Sequence, residues 1–255
     1  MAEARKIESR RKKFGLKTFG DAMKNIWESF LNIGGHVDRT DVIFDCYRKD
    51  TIKGLERQRR SEIADAIQIS ITNVDQPLPL ASEFSRFWAS MENKIRFQQF
   101  FISWIIENYD GDKLIYLGGC NVGCMDKCYK LVNRRIFDVP ALNCSHDEAD
   151  DRIMYHLNQA VKTEEIAYAH VVSGDTDILV CLMYHFLTWQ KYSLQEIWMH
   201  HNGLATPYTK QSPVFPLKLS VSYQQCIPCL GVILLAKSEL SYKHLKQLIN
   251  QNMRS

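Results

Sequence analysis

Acidic residues carry the chemistry this chain could perform, and their spacing is the first thing to weigh. The run SHDEADD from Ser145 to Asp151 supplies Asp147, Glu148, Asp150 and Asp151, and VVSGDTD ending at Asp177 adds Asp175. A further acid, Asp45, closes the short apolar run DVIFD. Two carboxylates ~4 Å apart at an effective dielectric of ~20 repel by about 4 kcal/mol. Several of them in one cleft must hold protons, splay apart, or share a cation. All-oxygen donors suit Mg²⁺ or Mn²⁺, which keep several waters and accept phosphate oxygens as further ligands. The matching chemistry is metal-assisted phosphodiester hydrolysis, with two ions clamping the attacking and leaving oxygens.

Three elements must deliver these acids. Asp147 to His156 is expected to open a helix, with Ser145 as N-cap, Glu148 as its capping-box partner, and Ile153, Met154 and Leu157 as the apolar stripe. On a helix at 100° per residue Glu148 and Asp151 share a face and Asp150 points elsewhere. Tyr168 to Val172 is a short apolar run before a Ser-Gly break, the pattern of a buried parallel strand. Its end would carry Asp175 and Asp177 to the rim where open α/β sheets bind ligands. Asp41 to Asp45 is a strand of the same kind. The acids also admit a purely structural reading, with Glu148 a helix cap and Asp175 a turn residue.

Arg48 to Arg60 (RKDTIKGLERQRR) follows Asp45 directly and is strongly basic. Over an acidic rim such a segment would hold backbone phosphates; by itself it equally fits an exposed helix face with Glu56 paired to Arg60. Phe19 to Leu31 has the spacing of a core helix closed by Gly34-Gly35, and Ser61 to Leu80 is expected to be extended loop. Ser82 to Asn108 is an aromatic-rich helical pattern broken near Glu92 and Asn93, and its i,i+3/i+4 spacing marks its rings as core. Lys113 to Leu117, Val139 to Leu142 and Ile197 to His201 are expected strands, and Thr176 to Phe186 a second apolar helix. Cys120, Cys124 and Cys128 recur every four residues and Cys226/Cys229 form a lone CxxC; without paired knuckles no zinc is expected. His146, His200 and His201 stay outside the expected site.

The chain of 255 residues is 45% hydrophobic with a formal charge of +3, which is enough to bury a core and too little charge to argue nucleic acid unaided. Its charged opening MAEARKIESRRKK resembles no signal peptide and no run reaches membrane-spanning length, so an intracellular protein with free thiols is expected, in nucleus or cytoplasm and without a membrane partner. The sequence leaves the oligomeric state open. The expected organisation is a charged leader over residues 1–16, an α/β domain over 17–201 with a basic insertion near 48–80, and a poorly defined region over 202–255.

EADD from Glu148 to Asp151, the GDTD of Gly174 to Asp177, and VIFD ending at Asp45 with its basic follower together resemble the acidic core of the 5′ nuclease and flap endonuclease superfamily, a branch of the PIN-like fold. The nuclease domains of bacterial DNA polymerase I are similar, and animal proteins with the same order of segments more so. The resemblance spans roughly Phe19 to His201. It implies a three-layer α/β/α fold with a mainly parallel sheet, and Asp45, Glu148, Asp150, Asp151, Asp175 and Asp177 as acids holding Mg²⁺ or Mn²⁺, with Asp45, Glu148, Asp151, Asp175 and Asp177 catalytic. It further implies Lys53, Arg57, Arg59 and Arg60 as contacts to DNA or RNA, single-stranded or flap-like. Two departures accompany it. Those nucleases begin with an apolar strand ending in Asp that forms the middle of their sheet, and no such strand opens this chain. Gln224 to Leu240 also lacks the Gly-rich turn bearing a further acid. A shortened or decayed copy with weak metal binding is therefore expected, either a nuclease or an inactive domain that binds nucleic acid or protein.

Overall fold

The structure, a computed structural model, describes residues 15–34, 37–48, 51–119, 126–146, 148–173, 175, 177–201, 204–209, 230–239, 241, 243 and 247. Most of the charged leader, Asp147, Gly174, Thr176 and the cysteines Cys120, Cys124, Cys226 and Cys229 lie outside the described residues.

Helix α1 (Phe19–Gly34) begins in a reciprocal cap, with the Asp21 amide donating to Thr18 Oγ1 and the Thr18 amide to Asp21 Oδ2. It buries Phe19, Met23, Ile26 and Trp27, the expected stripe. Strand β1 (Arg39–Phe44) is buried at every position. Helix α2 (Ile52–Ile63), capped by Thr51, carries the basic segment, and residues 65–80 run without helix or strand. The aromatic pattern splits at Ser90 into α3 (Phe84–Ala89) and α4 (Met91–Asn108). Then come β2 (Leu114–Gly118), β3 (Cys128–Val132), β4 (Arg135–Asp138), α5 (Ala149–Thr163), β5 (Tyr168–Val172), α6 (Asp177–Trp189), β6 (Glu196–His201), β7 (Leu204–Thr209) and β8 (Leu230–Ala236).

Two local expectations change. Val139 to Leu142 is not a strand: Pro140 opens a single 3-10 turn to Leu142. Ser61 to Ile63, expected to open the extended loop, instead form the last turn of α2.

The eight strands form one sheet in the order β4-β3-β2-β1-β8-β5-β6-β7. Only β1/β2 and β5/β6 pair in parallel; the other five pairings are antiparallel, so the sheet is mixed where a mainly parallel one was expected. The reason is β8. It lies between β1 and β5, antiparallel to both, while β2, β1, β5 and β6 all point the same way. Residues 230–236, from the region expected to be poorly defined, thus supply the middle strand. Val232 to Ala236 are at most 2% exposed, which fits a strand covered on both faces.

β1 divides its side chains between two clusters. Val42 and Phe44 join α1, α3 and α4, with Phe19, Phe87, Phe97 and Phe101 at the centre. Ile43 joins α5 and α6, with Ile153, Leu157, Leu182 and Trp189. The approach of α5 to the sheet is close at Gly231, where a Cβ would stand 2.1 Å from Ile153 Cδ1. No helix among the described residues is long and apolar enough to cross a membrane.

Candidate acidic site at the strand ends

Register alone brings β1 and β5 to a common edge. Val42 and Val172 both pair with Val232, so Asp45 and Asp175 each lie three residues beyond one shared row. At ~4.8 Å between neighbouring strands, the two chains leave that row about 10 Å apart.

Asp45 is 6% exposed. Its Oδ1 accepts a 2.7 Å hydrogen bond from the Ala149 amide, the first residue of α5. Its Oδ2 is 3.8 Å from Arg57 Nη2, and its carbonyl accepts from Gln98 Nε2 at 3.0 Å. The helix is therefore capped by a carboxylate more than a hundred residues earlier in the chain. The expected local capping box is absent: α5 starts at Ala149, and Glu148, its N-cap residue, makes no side-chain cap bond. A tertiary acceptor has replaced the local one, and a negative group at a helix N-terminus is favoured by the helix dipole as well.

Glu148 has ψ 146°, outside the helix, so the 100° spacing that paired it with Asp151 does not apply. Asp150 is half-buried, and its carboxyl is pushed up to about 6, first by burial and then by the charges of Glu148, Asp175 and Asp45. Asp151 is exposed, 3.8 Å from His146 Nδ1. Asp175 is exposed and its Oδ1 accepts from the Asp177 amide at 2.9 Å, an Asx turn that starts α6 at Asp177. The Cys181 thiol, raised by burial, also feels Asp150, Asp151, Asp177 and Asp175. The starts of α5 and α6 thus share one acidic rim, in which Asp150 feels Glu148, Asp175 and Asp45, while Asp151, Asp175 and Asp177 are exposed.

The donor chemistry suits a hard divalent ion, and the crowding at Asp150 is the kind a cation relieves. Among the described residues, however, no three His, Cys, Asp or Glu side chains are already arranged to hold a metal. An ion would have to draw the carboxylates inward.

Of the expected basic contacts, one reaches this rim. Arg57 faces Asp45 and stands 5.0 Å over the Tyr47 ring. Arg59 and Arg60 are turned outward and bound to Glu56 at 2.7 to 2.9 Å, the local i,i+3 and i,i+4 pairing. The Lys53 side chain lies outside the described residues.

Sequence reasoning passed over two polar groups on the buried face of α5. His156 Nδ1 donates to Asp41 Oδ2 at 2.7 Å, a direction fixed by the carboxylate's being an acceptor. Asp41 also takes Arg39 Nε and Nη2 at 2.7 and 2.6 Å, and Arg39 lies 3.8 Å over the Tyr116 ring and bonds Glu164. Burial acts to raise the Asp41 carboxyl, yet the Arg39 charge and the hydrogen bonds from His156 and Arg39 together outweigh it and hold the group below its ordinary range. Burial lowers His156. Arg152 is the second group, fully buried one turn earlier. The signal for both was present: Arg152 and His156 sit at i,i+4 on the stripe of Ala149, Ile153, Leu157 and Ala160.

A scan of protein-family models and searches of curated proteins and of solved structures each find no match to this chain.

Proposed function

We propose that the chain is a three-layer α/β/α domain of the 5′ nuclease kind that acts on phosphodiester bonds of nucleic acid with Mg²⁺ or Mn²⁺ at the acidic rim. The observation that supports this is the joint arrival of Asp45 and Asp175, level beyond the Val232 row, with the first turn of α5 hydrogen-bonded onto Asp45. Glu148, Asp150 and Asp175 are the residues that would hold an ion, with Asp151 and Asp177 at the outer margin. A bound ion supplies charge neutralisation and Lewis acidity at the scissile phosphate. Asp45 fixes where the first turn of α5 stands, and Arg57 holds a neighbouring backbone phosphate. The test is cleavage of labelled flap and single-stranded DNA and RNA with each metal. Activity lost in the Asp175→Ala/Asp177→Ala double variant supports the proposal, and no cleavage with either metal overturns it.

A second reading is an inactive domain that binds nucleic acid through the same rim. It is favoured by the prior engagement of Asp45 with Ala149 and Arg57 and by the absence, among the described residues, of a formed ligand group. It predicts salt-sensitive binding weakened by Arg57→Ala and indifferent to divalent ions.

A further inference from the structure

Helix α6 is apolar on both sides. Its inner side buries Ile178, Leu182, Phe186 and Trp189. Its outer side carries Val180, Tyr184 and Leu187, which remain 66%, 80% and 68% exposed. Between Asp177 and Lys191 the sequence holds no Asp, Glu, Lys or Arg. Single exposed apolar residues are ordinary, whereas a contiguous row of large ones marks a surface that another molecule covers. The row also has a definite period. Asp177, Val180, Tyr184, Leu187 and Lys191 follow one another at intervals of three, four, three and four residues, and all five are exposed. Lys191 continues the row past the last helical turn, its amide donating to the Thr188 carbonyl at 3.2 Å. Alternating threes and fours make the seam along which one helix packs against another in a coiled coil.

The charges at its two ends select what covers it. Asp177 lies seven residues before Tyr184 and Lys191 seven after, so the row is complementary to itself when reversed. A second α6, turned about a two-fold axis through Tyr184, sets Val180 beside Leu187 of the partner subunit and Asp177 beside Lys191 of the partner subunit. Parallel packing would set like charges together at both ends, which opposes association. We propose that the outer side of α6 is a dimer interface that joins two copies of this chain with their α6 helices antiparallel. Such a contact uses the same patch on both subunits and closes at two copies. The helix is already formed on the sheet, so docking orders no backbone. Two heptads are a short seam, and a reversible dimer with a dissociation constant on the order of micromolar is expected. The seam starts beside the acidic rim but requires neither a metal nor a nucleic acid.

Sedimentation equilibrium of the full chain from about 1 to about 100 µM, in EDTA and a thiol reductant, tests this. The parent is expected to pass from monomer to dimer across that range. Tyr184→Glu puts a charge on the axis and should weaken association at least about tenfold. Lys191→Glu sets acid against acid and should weaken it about fivefold, and adding Asp177→Lys exchanges the two ends and should restore the parent constant to within about twofold. All three side chains are exposed, so urea midpoints near the parent's show that the variants fold. A parent that stays monomeric throughout, a dimer indifferent to Tyr184→Glu, or a charge exchange that fails to restore association overturns the proposal. With divalent ions chelated, these outcomes are independent of whether the chain cleaves phosphodiesters.

Discussion

Gly231→Ala tests the placement of β8, on which the geometry of the acidic rim depends. The new Cβ would stand 2.1 Å from Ile153 Cδ1 and 2.9 Å from Cγ1, in a region where Ile153 is fully buried on α5. Cδ1 swings on χ2 while Cγ1 is held by a χ1 with essentially one state in a helix, so relief demands a rotamer change inside a fully buried cluster. Overpacking of this kind costs about 1–3 kcal/mol. The loss of glycine's freedom in the unfolded chain returns roughly 0.4–1 kcal/mol, so a net destabilisation of about 1–2 kcal/mol is expected. In a domain of this size that corresponds to roughly 2–4 °C of melting temperature per kcal/mol. Ile153→Val removes Cδ1, the atom in closest conflict, and alone should cost about 0.5–1.5 kcal/mol. Together the two changes leave only the 2.9 Å contact to Cγ1, so the double variant should be more stable than the sum predicts by at least about 0.5 kcal/mol, beyond the usual error of additivity. Urea unfolding of the four proteins gives the cycle. A neutral Gly231→Ala, or strictly additive effects, would refute the close packing of Gly231 of β8 against Ile153 of α5.

Asp45 separates structure from chemistry. Asp45→Ala removes the acceptor for Ala149 and should cost about 0.5–2 kcal/mol, whereas Asp45→Asn keeps an oxygen there and should unfold near the parent midpoint. If the rim needs that charge, the Asn variant loses hydrolysis while keeping its fold; full activity in Asp45→Asn would confine Asp45 to capping. Asp150 predicts a pH dependence. Its folded pKa of about 6 lies above the ordinary 3.8, so its contribution to stability is complete below 3.8 and is lost as pH rises through about 6. For a half-exposed carboxyl the loss is on the order of 1 kcal/mol after solvent screening, and urea midpoints of Asp150→Asn should be flatter across that window and higher near neutrality. Asp41→Asn leaves Arg39 buried with a weakened partner and should cost about 3–5 kcal/mol, measured by the same unfolding; a loss under ~1 kcal/mol would show the buried cluster to be dispensable.

The acidic clusters were legible in the letters because carboxylates at strand ends have a recognisable pattern, and so were α1 and the broken aromatic helix. Strand direction was not. Nothing in LGVILLA distinguishes a strand running up the sheet from one running down. Its lack of periodicity, which hid it, is the expected mark of burial on both faces. The start of α5 was misjudged for a related reason: the acceptor that ends up capping it is Asp45, and a cap supplied from across the fold leaves no trace in the local sequence. Arg152 and His156 were readable as polar residues on an apolar stripe, yet their partners Asp126 and Asp41 lie too far along the chain for spacing to reveal them.

The reversed middle strand sets what the rim can bind. A strand running with β1 and β5 would finish at the rim and could present an acid there; β8 instead begins at that edge, where Leu230 and Gly231 pair with Phe44 and Ile43. The described acids therefore come from the flanks, about two strand spacings apart, and from the first turn of α5. An octahedral ion with bonds of about 2.0–2.1 Å can take only a few of these oxygens at once and must complete its shell with water. Binding should accordingly be weak, with the parent's melting temperature still rising at millimolar Mn²⁺ and the rise reduced by Asp175→Ala. Saturation at micromolar Mn²⁺ would demand a converged ligand set that flanking acids of this spacing do not make.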